Sequence, residues 1–465
     1  MSNSFNDTNE IGFGNLKVKS NILFLLVIVL SSLSLFFFLI PIEYIFYGIL
    51  LLILVITLYL KPHYSFYLVI LTIPLLKRFR DFPISFTINE IAIAICVLIM
   101  IASILFRHKV NLRTSLDKYL IVLLILFFAA GITSESETGV LAAFKFTEAI
   151  LVYYMTVYFI RTKQVKIAAI LKCLILTTLA QALFGFIQSM AGTSFTFHDN
   201  LYYSSRGILG YFNIGSSLVW HGRGTMLHFN SLGYFLSLVF LCFLPIYYYV
   251  LKNKTLGKII LGILLLGILT TYSRGSLIVI SVGGLIFLSQ IMKNKVKFAI
   301  IAVISILIMI SVSIYLSNTN YVMTVNPREN IWNTVWTSIT SCPRYLWLGA
   351  GLNSYKLVVW PYFYRIDKPV FSHDFYLLCI QEMGIIGTII FISFFIYVFF
   401  STWKKFRNSS GYFKVLNFSL LLVMVEFFIN GIFDHSYVLP AFKIVLFLII
   451  GIIYAKEKTY YVKST

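Results

Sequence analysis

Residues 257–292 read GKIILGILLLGILTTYSRGSLIVISVGGLIFLSQIM. Two apolar runs, 257–272 and 275–292, are separated by little more than Ser273-Arg274-Gly275. Continuous apolarity, without the alternation of a membrane strand, is typical of helices that cross a lipid bilayer. The stretch therefore predicts a transmembrane hairpin of two helices, with Arg274 at its tip.

The composition of the whole chain agrees with this stretch. Of its 465 residues, 59% are hydrophobic and only 12% are charged, whereas a soluble domain has about 45–50% apolar and about 25% charged residues. We therefore predict an all-α polytopic membrane protein with about twelve to fourteen transmembrane helices. The apolar runs that could supply them are 21–40, 43–60, 64–77, 88–106, 118–134, 139–160, 167–190, 228–250, 257–272, 275–292, 298–317, 373–400, 413–432 and 440–455.

The net charge of +20 is concentrated in short basic clusters between apolar runs. Such clusters mark cytoplasmic loops under the positive-inside rule. They are not the basic face of a soluble nucleic-acid-binding domain, so we expect no nucleic-acid partner. The clusters are Lys17–Lys19, Arg107–Arg113, Arg161–Lys166, Lys252–Lys258, Lys293–Lys297 and Lys404–Arg407.

Placing these clusters in the cytoplasm puts both termini inside and divides the chain into four regions. Residues 1–20 form a cytoplasmic N-terminal tail. Residues 21–317 form a transmembrane bundle that includes an external loop at 191–227. A large external, periplasmic loop spans 318–372, and C-terminal transmembrane helices span 373–465.

The large external loop is expected to contain a helix that lies on the outer leaflet. Apolar residues recur there at helical spacing and form one face. A Pro near the start of the pattern and another after it are typical helix boundaries. The face consists of Ile331, Trp332, Val335, Trp336 and Ile339.

The predicted outer side carries the residues best suited to chemistry. Arginine clusters bind phosphate through paired hydrogen bonds, and a histidine can take a proton from a hydroxyl. Together they predict transfer chemistry on a substrate that carries a diphosphate. Because nucleotide-activated sugars are not available outside the cytoplasm, the donor would be lipid-linked. The candidate residues are Arg274, Arg328, Arg223, Arg206, Lys77, Arg78, Arg80 and His373.

No cofactor or metal is expected. The chain has no Walker sequence and no glycine-rich dinucleotide loop after a strand. Its cysteines and histidines lack zinc-site spacing. One further pair of charges within an apolar run, Lys145 and Glu148, is expected to form a local ion pair because the residues are three apart on one helix.

Four stretches, in order, resemble the O-antigen ligase and polymerase superfamily of bacterial membrane glycosyltransferases. His228-Phe229-Asn230-Ser231 opens a helix, and Thr271 through Ser276 resembles the family's Ser-Arg-Gly turn. Arg328 with Ile331-Trp332, followed by Leu348 through Tyr355, resembles its outer-loop helix and glycine-rich exit. His373 through Gly387 resembles its closing helix.

The resemblance implies an all-helical glycosyltransferase of the C type at the bacterial inner membrane. Such an enzyme moves a glycan from undecaprenyl diphosphate to an acceptor hydroxyl on the outer face, without a metal and with inversion. Arg274 and Arg328 match the residues that engage the diphosphate, and His373 matches the histidine that activates the acceptor. We expect the remaining candidates to bind substrate: Arg223, Arg206, His228, Lys77, Arg78 and Arg80.

Several alternatives stay open at this point. The acceptor is another lipid-linked repeat in a polymerase and a lipid A core sugar in a ligase, and the sequence does not separate them. The alternative function is a flippase or other transporter of lipid-linked oligosaccharide. Protein partners would come from the machinery that assembles envelope polysaccharide, in which a scaffold role is a further alternative.

Overall fold

The computed structural model of the chain describes residues 61–75, 78–79, 86–106, 110–192, 211–214, 217–226, 228–301, 303–304, 307, 311, 328–362, 374–435 and 439–456. Within these ranges the chain is almost entirely helical. Two short antiparallel hairpins, β1–β2 and β3–β4, lie in its loops. The strands are β1 (Arg78–Phe79), β2 (Phe86–Thr87), β3 (Tyr211–Ile214) and β4 (Ser217–Trp220).

Besides residues 295–301, which are helical as well, fourteen α-helices have defined bounds in the described ranges. They are α1 (His63–Thr72), α2 (Ile88–Phe106), α3 (Asp117–Ile132), α4 (Gly139–Arg161), α5 (Ile167–Ala191), α6 (Phe229–Tyr249), α7 (Lys254–Thr271), α8 (Arg274–Ile291), α9 (Arg328–Thr340), α10 (Pro343–Leu348), α11 (Tyr355–Val359), α12 (Phe375–Asn408), α13 (Gly411–Phe433) and α14 (Pro440–Ala455). A short 3₁₀-helix, Trp360–Tyr362, follows α11.

Eight of the helices in the described part of the chain are long and apolar enough to cross a membrane: α2, α4, α5, α6, α7, α8, α12 and α13. This confirms the predicted all-α polytopic fold. Helix α1 has only 10 residues, half of what a span needs, so the predicted run 64–77 does not form one long helix. The runs 21–40 and 43–60 lie outside the described residues.

Helix α14 lies at the centre of the bundle. Every residue from Ala441 to Ala455 is buried, although the helix has only 16 residues. A helix so apolar on all sides is stable where neighbours surround it. It packs along α4, where a Cβ atom on Gly451 would lie 2.8 Å from the Cβ atom of Thr156. Helix α13 contacts α14 and also α6, α8 and α12, so it links the centre to the helices described below.

The predicted hairpin of α7 and α8 is present, but the two helices scarcely pack on each other. Only Tyr272 and Ser273 separate them. Helix α7 packs on both α5 and α6, and α8 packs on both α6 and α13. The hairpin is therefore opened around α6, which brings the start of α6 against the turn that carries Arg274.

Lys145 forms its ion pair with Glu90 rather than with Glu148, with which it interacts electrostatically without a salt-bridge contact. The Nζ atom of Lys145 lies 3.3 Å from Oε1 of Glu90 in the first turn of α2. The ammonium of Lys443 on α14 donates a hydrogen bond to the carbonyl oxygen of Lys145. Because the partners come from neighbouring helices, spacing along one helix could not reveal them.

The short helices of the outer loop pack on the start of α12. Ile331, Val335 and Ile339 of α9 are fully buried. They form a cluster with Tyr355 and Val359 of α11 and with Leu378 of α12. The predicted helix is therefore present, but these three residues of its apolar face contact protein. Trp336 remains 47% exposed, so it is the part of that face left for the predicted contact with the outer leaflet.

Candidate active site

Arg274 opens helix α8 at the tip of a tight turn. Tyr272 ends α7 in the left-handed region at φ 52°. Ser273 caps α8, and its side chain accepts a hydrogen bond from the backbone N–H of Ser276. Arg274 itself is exposed. The turn thus presents a guanidinium beside a helix N-terminus, where backbone N–H groups and the helix dipole favour an anion.

Glycines hold this turn against the start of α6. A Cβ atom on Gly233 would lie 2.5 Å from Oγ of Ser276. One on Gly275 would overlap the phenol oxygen of Tyr234. Real Cβ atoms do not approach so closely, so a Cβ atom at either position would displace the side chains that pack there. The start of α6 is therefore fixed relative to Arg274.

Two glutamines of α5 hold the segment between β4 and α6. Oε1 of Gln188 accepts hydrogen bonds from the backbone N–H groups of Arg223, at 3.0 Å, and Gly224, at 2.8 Å. Its Nε2 donates to the carbonyl oxygen of Gly224. Oε1 of Gln181 accepts from the backbone N–H of Thr225. In this way the two buried amides satisfy backbone hydrogen-bonding groups of a segment that has no regular secondary structure.

His221 joins the same segment to the end of α7. Its Nδ1 lies 2.8 Å from the carbonyl oxygen of Thr271. Because a carbonyl only accepts, Nδ1 carries the hydrogen. The imidazole stacks on Phe229, with ring centroids 4.1 Å apart. It is 1% exposed, and burial lowers its pKa to about 4, so His221 is neutral at pH 7.

The start of α6 also contacts the end of α13. His228 caps α6, and its Nδ1 accepts from the backbone N–H of Asn230 at 3.2 Å. Nδ2 of Asn230 donates to Oδ2 of Asp434, also at 3.2 Å. Asp434 ends α13. The other carboxylate oxygen of Asp434, Oδ1, lies 2.8 Å from Nδ1 of His435.

The start of α12 packs on the last turns of α13. Asp374 caps α12, and its Oδ1 accepts from the backbone N–H of Leu377 at 2.8 Å. Burial raises the pKa of Asp374. The phenol of Tyr376 donates to the carbonyl oxygen of Phe428 at 2.8 Å, and its ring lies against Gly431. The residue before Asp374 in the sequence is His373, which lies outside the described residues.

The end of α13 therefore borders the starts of α6 and α12, and the start of α6 borders that of α8. Each of these N-termini has a polar cap residue, His228, Ser273 and Asp374 respectively. Helix N-termini carry partial positive charge. The starts of α6 and α8 meet beside Arg274, and the start of α12 joins them through the end of α13, where Asp374 and Asp434 lie. We call this region the helix junction.

A glycine-rich segment ties the outer loop to the bundle. The backbone N–H groups of Ala350 and Gly351 donate to the carbonyl oxygens of Gln381 and Glu382 on α12, at 2.8 and 3.0 Å. The backbone N–H of Leu352 donates to the carbonyl oxygen of Ala130 on α3, at 3.1 Å. The segment thus lies between α3 and α12 and is held by main-chain bonds to both.

A kink in α12 makes room for this segment. Gly384 has φ 67° and ψ 177° inside the helix. A Cβ atom there would overlap the carbonyl oxygen of Trp347, which ends the preceding short helix, α10, with Leu348. The left-handed φ and the close approach both require glycine. The kink separates the first nine residues of α12, which follow His373, from the rest of the helix.

The structure brings only some of the predicted site residues together. Arg274, His228 and Arg223 lie at or beside the helix junction, but Arg223 is only 4% exposed whereas the other two are exposed. Arg328 is the first residue of α9 and Arg78 lies in β1. The remaining candidates, His373, Arg206, Lys77 and Arg80, lie outside the described residues.

Asp434, His435 and Asn230 were not among the predicted site residues, although Asn230 belongs to one of the four family-like stretches. Each stands at a helix boundary, where a single residue gives no periodic signal. The adjacent Asp434-His435 directly after an apolar run was the available clue. In the described ranges, no group of three or more His, Cys, Asp or Glu side chains is arranged to hold a metal ion.

A family model described as O-antigen ligase matches residues 259–392. The matched region runs from α7 into α12 and includes Arg274, Arg328, the glycine-rich segment and His373. No curated protein matches the chain.

Proposed function

This chain belongs to the O-antigen ligase and polymerase superfamily, and from that premise we propose that it transfers a glycan from undecaprenyl diphosphate to an acceptor hydroxyl. The family supports O-antigen ligase-type glycosyltransferase activity in general, with a lipid-linked glycan donor and a glycan acceptor in a membrane. The observation that carries the finer proposal is the exposed Arg274 at the N-terminus of α8, inside the matched region.

The diphosphate of the donor would bind at the helix junction. Arg274 offers a planar guanidinium that can pair with two phosphate oxygens. The N-termini of α6, α8 and α12 add partial positive charge. Arg328, at the start of α9, is proposed as the second arginine on the diphosphate. Arg223, Arg206, His228, Lys77, Arg78 and Arg80 are proposed to bind other parts of the substrates.

The reaction is a single displacement at the anomeric carbon. The acceptor oxygen forms a bond to that carbon while the bond from the carbon to the diphosphate oxygen breaks. The diphosphate leaves with the electron pair, and Arg274 and Arg328 neutralise its growing charge. His373 orients or deprotonates the acceptor hydroxyl. Displacement in one step inverts the anomeric configuration.

The site is proposed to face the outer side of the bacterial inner membrane, with both termini in the cytoplasm. The described basic clusters support this orientation, since Lys252–Lys258, Lys293–Lys297 and Lys404–Arg407 lie at the ends of α6, α8 and α12 away from Arg274. Arg407, for example, is in the last turn of α12, which begins beside the helix junction.

Substitution of the proposed diphosphate ligand tests the function. R274A is expected to lower transfer from a purified lipid-linked donor by about 10²–10³-fold, and H373A is expected to abolish it. R407A removes an exposed arginine at the opposite end of α12 and is expected to keep wild-type activity. Normal transfer by R274A, present at wild-type levels in the membrane, would overturn the proposal.

The acceptor is identified by deletion of the gene in its host, with surface glycans and lipid-linked intermediates separated on a gel. Loss of the long-chain ladder, with single repeats still at the surface, identifies a polymerase. Long chains that accumulate on the lipid carrier identify a ligase. Accumulation of single repeats on the cytoplasmic face instead would identify the alternative, a transporter.

A further inference from the structure

A cavity of about 300 Å³ lies between the end of α12, the start of α13 and the end of α14. It is at the end of α12 away from the helix junction, which the orientation proposed above places in the cytoplasm. Ligand sites in proteins measure about 300–1,000 Å³, so the cavity has room for a small polar group. Its lining includes Lys405, Ser409, Phe413, Asn417, Ile453 and Lys456.

The surroundings of the cavity are positively charged. Residues 383–425, which include the end of α12 and the start of α13, contain four Lys or Arg residues and no Asp or Glu. Aromatic rings hold the two lysines of the cavity. Nζ of Lys405 lies 3.3 Å from the ring centroid of Tyr454, and Nζ of Lys456 lies 5.6 Å from that of Phe413. Two cations at one cavity repel each other, and a bound anion relieves this repulsion.

The ends of the helices do not by themselves account for these charges. A carbonyl oxygen at the end of α14 is already satisfied by Arg161, whose Nε donates to the carbonyl oxygen of Ala455 at 3.1 Å. The start of α13 borders the cavity through Phe413, and the side chain of its N-cap residue, Ser410, does not cap it in the described structure. The first backbone N–H groups of α13 therefore add partial positive charge here.

Asn417 is a second and independent feature of the cavity. Its side chain is 5% exposed. Nδ2 donates to Oγ of Ser409 at 3.2 Å, whereas the buried Oδ1 accepts no hydrogen bond from any described residue. A buried acceptor without a donor is unfavourable. Because Asn417 and Ser409 both line the cavity, a hydroxyl bound there can supply the missing donor.

We propose that this cavity binds the headgroup of phosphatidylglycerol from the cytoplasmic leaflet. Its phosphate lies between the ammonium groups of Lys405 and Lys456, beside the N-terminus of α13. A glycerol hydroxyl donates to Oδ1 of Asn417. Basic pockets between transmembrane helices on the cytoplasmic side bind anionic lipid headgroups. The inference goes beyond glycan transfer and shares with it only the proposed orientation.

Charge and hydrogen bonding together select this headgroup. Phosphatidic acid offers the phosphate but has no glycerol hydroxyl for Asn417. Phosphatidylethanolamine offers N–H donors, but its ammonium group is repelled by the two lysines. Phosphatidylglycerol combines a negative charge with neutral hydroxyl donors. The expected order of affinity is therefore phosphatidylglycerol, then phosphatidic acid, then phosphatidylethanolamine.

Native mass spectrometry of the purified full-length protein, titrated with one lipid at a time, tests the lysines. K405M and K456M are each expected to weaken phosphatidylglycerol binding by about fivefold. K404M is the matched control, since Lys404 is exposed in the same turn of α12 but does not line the cavity. It should bind as wild type does. Equal weakening by all three variants would show attraction to a basic surface alone and would overturn the site.

Asn417 is tested through lipid selectivity, which a general folding defect does not change. N417A is expected to weaken phosphatidylglycerol binding by about fivefold and to leave the binding of phosphatidic acid as in the wild type. If both lipids lose affinity by the same factor, or neither does, the headgroup assignment fails. The thermal unfolding midpoint of each variant without added lipid checks its folding.

Free glycerol 3-phosphate distinguishes a lipid from a soluble ligand. It carries the same phosphate and hydroxyl groups but no acyl chains, so it should bind far more weakly than phosphatidylglycerol. Binding of equal strength would overturn the lipid assignment. These titrations contain no glycan donor, so their failure leaves the proposed transfer reaction standing. A fully active R274A variant would instead overturn the transfer site and leave the lipid site untouched.

Discussion

The imidazole of His221 donates through Nδ1 to the carbonyl oxygen of Thr271, 2.8 Å away. Its pKa is lowered from 6.5 to about 4 because the ring is buried. The unfolded chain therefore binds a proton between pH 6.5 and 4 that the folded chain does not. The contribution of His221 to the free energy of unfolding is therefore complete above pH 6.5. As the pH falls from 6.5 towards 4, the free energy of unfolding decreases by about 1.4 kcal/mol for each pH unit.

We predict that H221Q flattens this pH dependence. Glutamine can still donate to Thr271 but does not titrate, so its unfolding midpoint should change less than that of the wild type between pH 7 and pH 4.5. The measurement is a series of thermal unfolding curves of the solubilised protein. Equal slopes for the two proteins would show that His221 does not stay neutral in the fold.

A second prediction concerns Gly222, next to His221. A Cβ atom at Gly222 would overlap the carbonyl oxygen of Gly185 on α5. We expect G222A to lower the free energy of unfolding by about 1–3 kcal/mol and to reduce transfer, since the segment holds the turn that carries Arg274. The control is G262A on α7, where an added Cβ would have no neighbour within 4 Å. It should change stability by less than about 1 kcal/mol.

The third prediction concerns the kink of α12. G384A forces alanine into φ 67° and against the carbonyl oxygen of Trp347. A non-glycine residue in such a region costs about 1–3 kcal/mol, so the glycine-rich segment should leave α12. Limited proteolysis should then cut residues 343–362 faster than in the wild type. Unchanged cleavage would mean that the segment is held without the kink.

The fourth prediction concerns the buried charges of the bundle. Lys443 is 2% exposed and interacts electrostatically with Glu148 and Glu90. K443M should destabilise the protein by about 3–5 kcal/mol because it removes an ammonium partner of Glu148 from the bundle, whereas Glu90 keeps Lys145. Adding E148Q to K443M should recover part of the loss. A double variant less stable than K443M would show that the two charges do not compensate each other.

Much of the fold was predictable because a bilayer imposes long apolar helices. The runs at 257–272 and 275–292 gave α7 and α8 nearly residue for residue. The face of Ile331, Val335 and Ile339 gave α9. Hydropathy could not predict that the hairpin opens around α6. The opening depends on close contacts of Gly233 on α6 with the turn before α8, and of Gly275 on α8 with Tyr234.

The candidate site was less accessible to sequence reasoning. Arg274 stood out as a charge between two apolar runs. Asp434 and Asn230 are 204 residues apart in the sequence, and their hydrogen bond forms only because α13 and α6 pack on each other. Lys145 shows the same limit, since its partner Glu90 lies on another helix. Contacts between helices are set by packing, for which one sequence gives no periodic signal.

The position of the glycine-rich segment sets an order of assembly during synthesis. Ala350 and Gly351 leave the ribosome before α12, although the carbonyl oxygens that accept their N–H groups belong to α12. When the segment emerges, only half of its docking surface, the end of α3, has been made. The glycine-rich segment therefore cannot complete its main-chain hydrogen bonds until α12 has been made. The site proposed above, which draws on both sides of this contact, would then be completed only when the C-terminal helices follow.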